Sequence, residues 1–188
     1  SKGKNKIPRD LYIPTIRDRL LLKVINDFLL DIYAEDIIQK LPQILVQEVK
    51  ELFFSKKYDT YLKIDIQSFY PSINKEILIN IIKRKVRSNT FIRLIKQGLN
   101  PKNLNNINGI DGVPQGLSIS NSLAHIYLID IDKHFKLKDN LSYFRFVDDI
   151  LILCKEQDIE IIKKDLYNLF QKKQLTIHPI QHEGSKSK

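Results

Sequence analysis

The amino-acid sequence predicts an α+β fold in which an antiparallel sheet is backed by helices. Segments with the apolar spacing of helices alternate with short strand-like runs. Two of those runs, LSYFRF and ILILC, are separated only by VDD, as in a tight hairpin. At 188 residues the chain can bury a substantial core. We therefore expect one compact unit without internal repeats or a clear domain boundary.

The predicted helices are those segments in which apolar residues recur every three or four positions. The first such segment begins with an apolar pattern at Leu20, and a later one has Asn74 as a plausible N-cap. Six helices are predicted: from the apolar pattern at Leu20 to about Ile32, from Pro42 to about Phe54, after Asn74, from about Phe91 to Leu99, from Leu117 to about Phe135, and from Asp158 to Lys172.

Three segments have the character of strands. YDTYLKIDI alternates polar residues, ending at Asp65, with apolar ones, so its acid is expected on the open face of the sheet. The hairpin is predicted to carry Asp148 and Asp149 at its turn. LTIHPI, residues 175–180, is the last predicted strand, and residues 100–112, rich in Asn and Gly, are expected to form a loop.

Charge and cysteine content narrow the class of protein. Thirty-one Lys and Arg against 22 Asp and Glu give a net charge of +9, which suits an anionic partner such as nucleic acid and equally a soluble basic surface. Cys154 is the only cysteine, which excludes a disulfide framework or a cysteine zinc site. No apolar run approaches the roughly 18 residues of a membrane span. We expect a cytoplasmic protein with no membrane partner.

The acids at the hairpin are the first candidate site. Asp148 and Asp149 alone fit ordinary turn chemistry. Asp65 favours a functional site over a plain turn, because it also ends an apolar strand and is followed by aromatic residues. Two strands that deliver carboxylates to one place suit hard divalent cations, and a pair of such cations supports nucleotidyl transfer.

The segment GVPQGLSIS, residues 112–120, is the second candidate. Its two glycines allow close backbone approach to a nucleotide, and a following helix start offers free N–H groups to phosphate. A plain turn before a core helix would have the same composition. The histidines show no metal-ligand spacing and are predicted to lie on the surface or towards a template: His125, His134, His178 and His182.

Four blocks, IPTIRDR, YLKIDIQSFYPSI, GVPQGLSISNSLAHIYL and FRFVDDILIL, resemble the fingers and palm of a reverse transcriptase. The resemblance extends from about Arg9 to about Lys186 and is strongest to the bacterial enzymes of group II introns, retrons, and abortive-infection or defence-associated groups. Viral RNA-dependent RNA polymerases share the palm but usually carry Gly-Asp-Asp and lack the Pro-Gln-Gly block.

The resemblance implies a polymerase palm with part of the fingers and no thumb, in a fragment of a longer protein. Fingers would occupy 1–57 and palm 58–188. The three palm motifs would be 61–73, 112–128 and 143–153.

The resemblance also implies roles for the acids. Asp65 and Asp148 would be the metal-binding catalytic carboxylates, and the backbone carbonyl of Ile66 would complete a metal shell. Asp149 would be the third acid and support the site. The cofactor would be two Mg²⁺ ions, with Mn²⁺ as a substitute.

Nucleotide contacts follow from the same resemblance. Tyr70 would block the 2′-OH of an incoming ribonucleotide, whereas Phe69 is expected to be an ordinary core aromatic. Gln115 and Gly116 would flank the nascent base pair.

For several arginines and lysines the resemblance implies a less specific role. Arg9 matches the fingers arginine that grips the triphosphate, with Lys2, Lys4 or Lys6 as an open second contact. Lys186 corresponds to a late lysine that could protonate pyrophosphate, although HPIQHEGSKS lacks the usual Gly-Leu lead-in. Arg17 and Arg19 would be structural or face the template, and the role of Arg145 before FVDD stays open.

These residues predict RNA-templated DNA synthesis by a two-metal mechanism. The partners would be an RNA template, a DNA or RNA primer and dNTPs, with a non-coding RNA or protein as an open source of the missing thumb. Two alternatives remain: template-independent or protein-primed DNA synthesis by a relative in antiviral defence, and a non-catalytic basic RNA-binding module on a palm fold.

Overall fold

The secondary structure was obtained from a computed structural model, which describes residues 13–37, 40–100 and 112–184. The α-helices are α1 Ile16–Ile32, α2 Pro42–Phe54, α3 Phe69–Ser72, α4 Lys75–Lys83, α5 Asn89–Leu99, α6 Ser120–Lys136 and α7 Ile159–Lys172. The β-strands are β1 Thr60–Asp65, β2 Ser142–Phe146, β3 Asp149–Cys154 and β4 Gln181–Gly184, and a 3₁₀ turn at Glu156–Asp158 precedes α7. The predicted α+β class is confirmed.

Side chains that cap the first backbone N–H groups fix where several helices begin. The Thr15 hydroxyl accepts from the Asp18 N–H at the start of α1, and the side-chain Oδ1 of Asn74 accepts from the N–H groups of Glu76 and Ile77 at the start of α4, as predicted. α6 begins three residues later than predicted, at Ser120. Its first turn is preceded by a tight turn in which the Ser120 N–H donates to the Leu117 carbonyl at 3.1 Å.

The sheet is antiparallel, with strand order β2-β3-β1-β4. Strand alternation gives it two unlike faces, as the sequence predicts for β1. The open face carries Lys63, Asp65, Phe144, Phe146, Asp149 and Leu151, and the helix face carries Leu62, Ile64, Tyr143, Arg145, Ile150 and Ile152.

The core lies between the helix face and the helices. α6 packs against α4 and β2, and α1 packs against α5 and α6. Tyr127 and Phe135 of α6 are fully buried, and so are Leu62 and Ile64 of β1. Since burial of each large apolar side chain stabilises the fold by roughly 1.5–3 kcal/mol, this layer holds the sheet rigid beneath its open face.

The last predicted strand was misplaced. LTIHPI contributes a single bridge, Ile66 to Ile177, and the regular strand is β4, which pairs Lys63 with Gln181. The two pairings are three residues apart on one side and four apart on the other, so an extra residue bulges out next to Pro179. Proline lacks the N–H that a regular ladder needs, and β4 is an edge strand where such a bulge is tolerated.

None of the helices within the described ranges is long and apolar enough to cross a bilayer.

Candidate active site

Three acidic residues lie at one end of the sheet. Asp65, the last residue of β1, pairs directly with Asp149, the first residue of β3, so the two side chains leave the same face. Opposed Cβ atoms in such a pair lie about 4.5–5.5 Å apart. Asp148 is the neighbouring residue, in the turn between β2 and β3. Asp65 has 53% of its side chain exposed, and Asp149 is also exposed, so the edge is open to ligands.

The turn that carries Asp148 is strained. β2 ends at Phe146 and β3 begins at Asp149, which leaves Val147 and Asp148 as a two-residue connection. Val147 has φ of 57°, in the left-handed region that a β-branched residue rarely adopts. Such a conformation costs about 1–3 kcal/mol and persists only where the surroundings enforce it.

The helix face directly below holds a buried ionic cluster. Asp132 of α6 accepts from the Tyr143 hydroxyl at 2.8 Å and from Arg145 Nε at 2.7 Å, with a second guanidinium contact to its other oxygen. The Arg145 and Asp132 side chains are only 6% and 8% exposed. Burial, and next the charge of Asp132, raise the pKa of Tyr143 well above its ordinary value, so this hydroxyl remains a donor.

His125 joins the same cluster. Its Nδ1 lies 3.2 Å from Arg145 Nη2. Burial, and next the neighbouring guanidinium, lower the pKa of His125 to about 4, so the ring is neutral and can accept this hydrogen bond. Of the two positions predicted for His125, the surface one is wrong, because the ring contacts a buried guanidinium; a position towards a template stays a prediction.

Tyr70 lies beside the carboxylate edge. It sits in α3, half-buried, while Phe69 is 3% exposed and belongs to the core as predicted. Burial raises the pKa of the Tyr70 hydroxyl, and the charge of Asp148 raises it further. The Tyr70 hydroxyl thus lies within electrostatic range of the turn acid.

The Gly112–Ser120 segment is fixed against Tyr70. The Val113 N–H donates to the Tyr70 carbonyl at 2.8 Å, and a Cβ on Gly112, which has φ of 69°, would lie 2.1 Å from the same oxygen. Glycine is therefore required at 112. At the other end, the Ser120 hydroxyl donates to the Pro114 carbonyl at 2.5 Å.

Gln115 and Gly116 lie at the outer part of this loop. Gln115 is partly exposed, and Gly116 is exposed with φ of 93°. Arg19 and Lys23 of α1 line a cleft together with Gly116. Arg19, which was predicted to be structural or to face the template, thus approaches the loop, and so does Lys23, which the sequence had not indicated.

His178 is a further neighbour that the sequence did not identify. Its N–H donates to the Asp65 carbonyl at 2.9 Å, and its Nε2 lies 4.0 Å from Asp65 Oδ2. The bridge of Ile66 to Ile177 brings it there. The bulge near Pro179 hides this pairing from a reading of strand periodicity.

The structure thus brings together most of the residues that the resemblance assigns to the site. Asp65, Asp148 and Asp149 share one edge, Ile66 follows Asp65 with its side chain 2% exposed, and Tyr70 holds the loop that bears Gln115 and Gly116. Arg9 and Lys186 lie outside the described residues, and so do Lys2, Lys4 and Lys6.

The donor set fits Mg²⁺ in its chemistry. Among the residues described, no three His, Cys, Asp or Glu side chains form a ready-made metal cluster. Mg²⁺ is usually held by one or two carboxylates together with water and substrate phosphates, rather than by an all-protein cage. An exposed edge of paired carboxylates matches that mode of binding.

Comparison with known proteins gives a family match. Residues 2–183 match the model of the family described as reverse transcriptase (RNA-dependent DNA polymerase). The group II intron-encoded protein LtrA of Lactococcus lactis subsp. cremoris is 28% identical over 156 residues, which is 77% of this chain and 26% of that protein.

Solved structures show the same fold. A telomerase of Candida tropicalis, in its apo form and truncated from its C-terminal domain, superposes with a TM-score of 0.61 at 16% identity, over 92% of this chain and 41% of that one. The Candida tropicalis telomerase bound to a TWJ fragment of telomeric RNA gives 0.61 at 15% identity, over 90% and 33%. The chain therefore spans less than half the length of these relatives.

Proposed function

Because the chain belongs to the reverse transcriptase (RNA-dependent DNA polymerase) family, we propose that it extends a DNA or RNA primer with dNTPs on an RNA template. The observation that carries this proposal is the pairing of Asp65 with Asp149, beside a turn that bears Asp148. That pairing gathers three acids at one exposed edge, next to an aromatic ring and a glycine-containing loop.

Asp65 and Asp148 would hold the divalent ions, with the Ile66 carbonyl as a further ligand and Asp149 as a supporting charge. When bound, two Mg²⁺ ions, or Mn²⁺ in their place, activate the attacking hydroxyl and neutralise the leaving pyrophosphate. Without cations, adjacent carboxylates repel one another, and the exposed edge lets solvent screen that repulsion.

Tyr70 would select the sugar and the loop would hold the base. The backbone of Tyr70 is fixed by the hydrogen bond from the Val113 N–H to its carbonyl, and the half-buried ring would block a ribose 2′-OH from that position. Gln115 and Gly116, at the exposed part of the loop, would flank the nascent base pair. Arg19 and Lys23 in the adjoining cleft provide positive charge suited to the phosphates of a template.

We assign residues 1–57 to a fingers portion and 58–188 to a palm. α1 nevertheless packs on α5 and α6 and shares one hydrophobic cluster with the sheet, so the two portions would act as one body. A thumb would come from a further part of the protein, from a non-coding RNA or from a partner protein. The free, buried Cys154 fits a reducing cytoplasm. A role in antiviral defence stays a prediction.

Primer extension on an RNA template with Mg²⁺ tests the proposal. The wild-type chain is compared with Asp148→Ala and with Asp139→Ala, a control at an exposed acid elsewhere. We expect incorporation to be lost in the first variant and kept in the second. Activity that survives Asp148→Ala would refute the metal assignment.

The same reactions separate the alternatives. Products sequenced from reactions with and without template distinguish copying from template-independent synthesis. Equal RNA binding by wild type and Asp148→Ala, with no incorporation by either, would instead favour the non-catalytic module.

Replacement of Tyr70 tests the sugar selection. Tyr70→Val should raise the use of rNTPs relative to dNTPs, whereas Tyr167→Val, at a half-exposed tyrosine of α7, should not. An unchanged preference for dNTPs in Tyr70→Val would remove Tyr70 from this role.

A further inference from the structure

Arg145 reaches from the buried cluster to the turn that carries Asp148. Its Nη1 donates to the Val147 carbonyl at 2.9 Å. The remaining guanidinium nitrogens are taken up by Asp132 and by His125 Nδ1 at 3.2 Å. One side chain thereby links helix α6 to the backbone immediately before Asp148.

The bond to Val147 acts on a strained peptide. Val147 holds φ of 57°, which a valine leaves readily unless its surroundings prevent it. Its carbonyl belongs to the peptide that joins it to Asp148, so a donor fixed at that oxygen fixes the orientation of the peptide plane. The direction in which the Asp148 side chain leaves the backbone then depends on Arg145.

If Arg145 and Asp132 served only to join β2 to α6, Arg145 would not need a contact with the turn. Asp132 already receives the Tyr143 hydroxyl, and Tyr143 stacks on Phe135 of α6 with ring centroids 5.6 Å apart. These contacts join β2 to α6 without touching the turn. Arg145 adds a planar, always-charged fork whose three separate nitrogens contact Asp132, Val147 and His125. The three donors of a lysine all lie on one nitrogen, so a lysine cannot span the same three positions.

We propose that Arg145, held by Asp132 and His125, is a positioning residue that fixes the turn so that Asp148 is oriented to bind a divalent cation. The proposed function is its premise, since that function makes Asp148 a cation ligand. Partners that orient a ligand from behind typically change metal affinity or activity by about 10- to 100-fold when they are replaced.

The test uses Arg145→Lys in the full 188-residue chain, with Mn²⁺ as the probe. Mn²⁺ binding is measured by electron paramagnetic resonance, and amide hydrogen exchange is followed in the 143–153 hairpin. We expect the Kd for Mn²⁺ to rise about tenfold or more and the turn amides to exchange faster, with circular dichroism unchanged.

Two controls separate positioning from general stability. Arg84→Lys alters an exposed pair between Arg84, at the end of α4, and Asp130 of α6, the helix that carries Asp132; Arg84 Nη1 lies 3.2 Å from Asp130 Oδ2. Tyr143→Phe removes the other donor to Asp132 and leaves the turn untouched. Both should retain the wild-type Mn²⁺ affinity. A folded Arg145→Lys variant with wild-type affinity would overturn the proposal.

Asp148→Ala is the reference that keeps the two proposals apart. If it abolishes Mn²⁺ binding and Arg145→Lys leaves binding intact, positioning alone fails. If it leaves binding intact, the proposed cation site fails and the positioning role falls with it. If the enzyme polymerises, Arg145→Lys should lower kcat while the KM for primer–template stays constant.

Should Arg145→Lys fail to fold, Val147→Gly gives the same decision. Glycine accepts a positive φ without strain and keeps the Arg145–Asp132 pair, but it frees the turn backbone. Weaker Mn²⁺ binding with faster exchange would support the proposal. Faster exchange with unchanged affinity would overturn it, because turn geometry would then not govern the cation.

Discussion

The two faces of the β2–β3 hairpin differ in how their charged side chains are paired and exposed to solvent. On the open face, Asp149 pairs across the strand with Asp65, so like charges are opposed in solvent. On the helix face, Arg145 is enclosed with Asp132, so opposite charges are paired out of solvent. The open face forgoes stability to keep ligand oxygens available, whereas the helix face provides the rigidity that such an edge needs. Substitutions on the two faces should therefore separate activity from stability.

The largest expected effect is on the open face. Asp65→Asn removes one of the two opposed charges, and the loss of a cation ligand worth several kcal/mol corresponds to about 1,000-fold or more in primer extension. The free energy of unfolding should stay within about 0.5 kcal/mol of wild type or rise, because like charges no longer oppose each other.

Urea unfolding and primer extension on the same samples check this separation. Asp139→Ala, at an exposed acid away from the edge, should change neither quantity. A marked loss of stability in Asp65→Asn would mean that the open face also supports the fold, and the contrast between the faces would not hold.

The next effect belongs to the helix face. Asp132→Asn keeps the shape of the side chain but leaves the Arg145 guanidinium buried without its counter-charge. Breaking a buried pair from one side costs about 3 kcal/mol or more, so the urea midpoint should fall clearly. Asp27→Asn, which breaks an exposed pair between Lys23 and Asp27 on α1, should leave the midpoint unchanged. A similar fall of the urea midpoint in Asp132→Asn and Asp27→Asn would contradict the distinction between the buried and the exposed ion pair.

The open face was largely predictable from sequence, and the helix face was not. Alternation along YDTYLKIDI placed Asp65 correctly, and the short VDD spacer placed Asp148 at a hairpin turn, with Asp149 as the first residue of the strand that follows. Local periodicity is sufficient for both, because neighbouring residues determine which face of a strand they occupy.

The partners of Arg145 depend instead on how α6 packs across the sheet. Asp132 precedes Arg145 by a helix end and a loop, and His125 lies two turns further back. Nothing in the spacing of these residues indicates that they meet. The position of β4 was not predicted for a similar reason, since a bulge beside Pro179 shifts the register that a strand period of two residues assumes.

The smallest expected effect makes the helix face sensitive to acid. His125 has its pKa lowered to about 4 by burial and by Arg145, against an ordinary value near 6.5 in the unfolded chain. The unfolded state therefore binds more protons between these values, so stability is complete above about pH 6.5 and declines as the pH falls towards 4. The loss should reach about 2–3 kcal/mol, because a protonated ring would face the guanidinium in a buried cluster.

Urea unfolding at a series of pH values measures this loss, with His125→Asn and His134→Gln as paired variants. Asn keeps a hydrogen-bond acceptor near Arg145 but does not titrate, so the decline between pH 6.5 and 4 should be smaller in His125→Asn. His134 pairs with Asp165 at 3.3 Å and is partly exposed, so His134→Gln should retain the decline of the wild type. If the stability of His125→Asn depends on pH as that of the wild type does, the His125 ring is not the source of the acid sensitivity. The contrast between a buried, charge-paired helix face and an exposed open face would then be weaker.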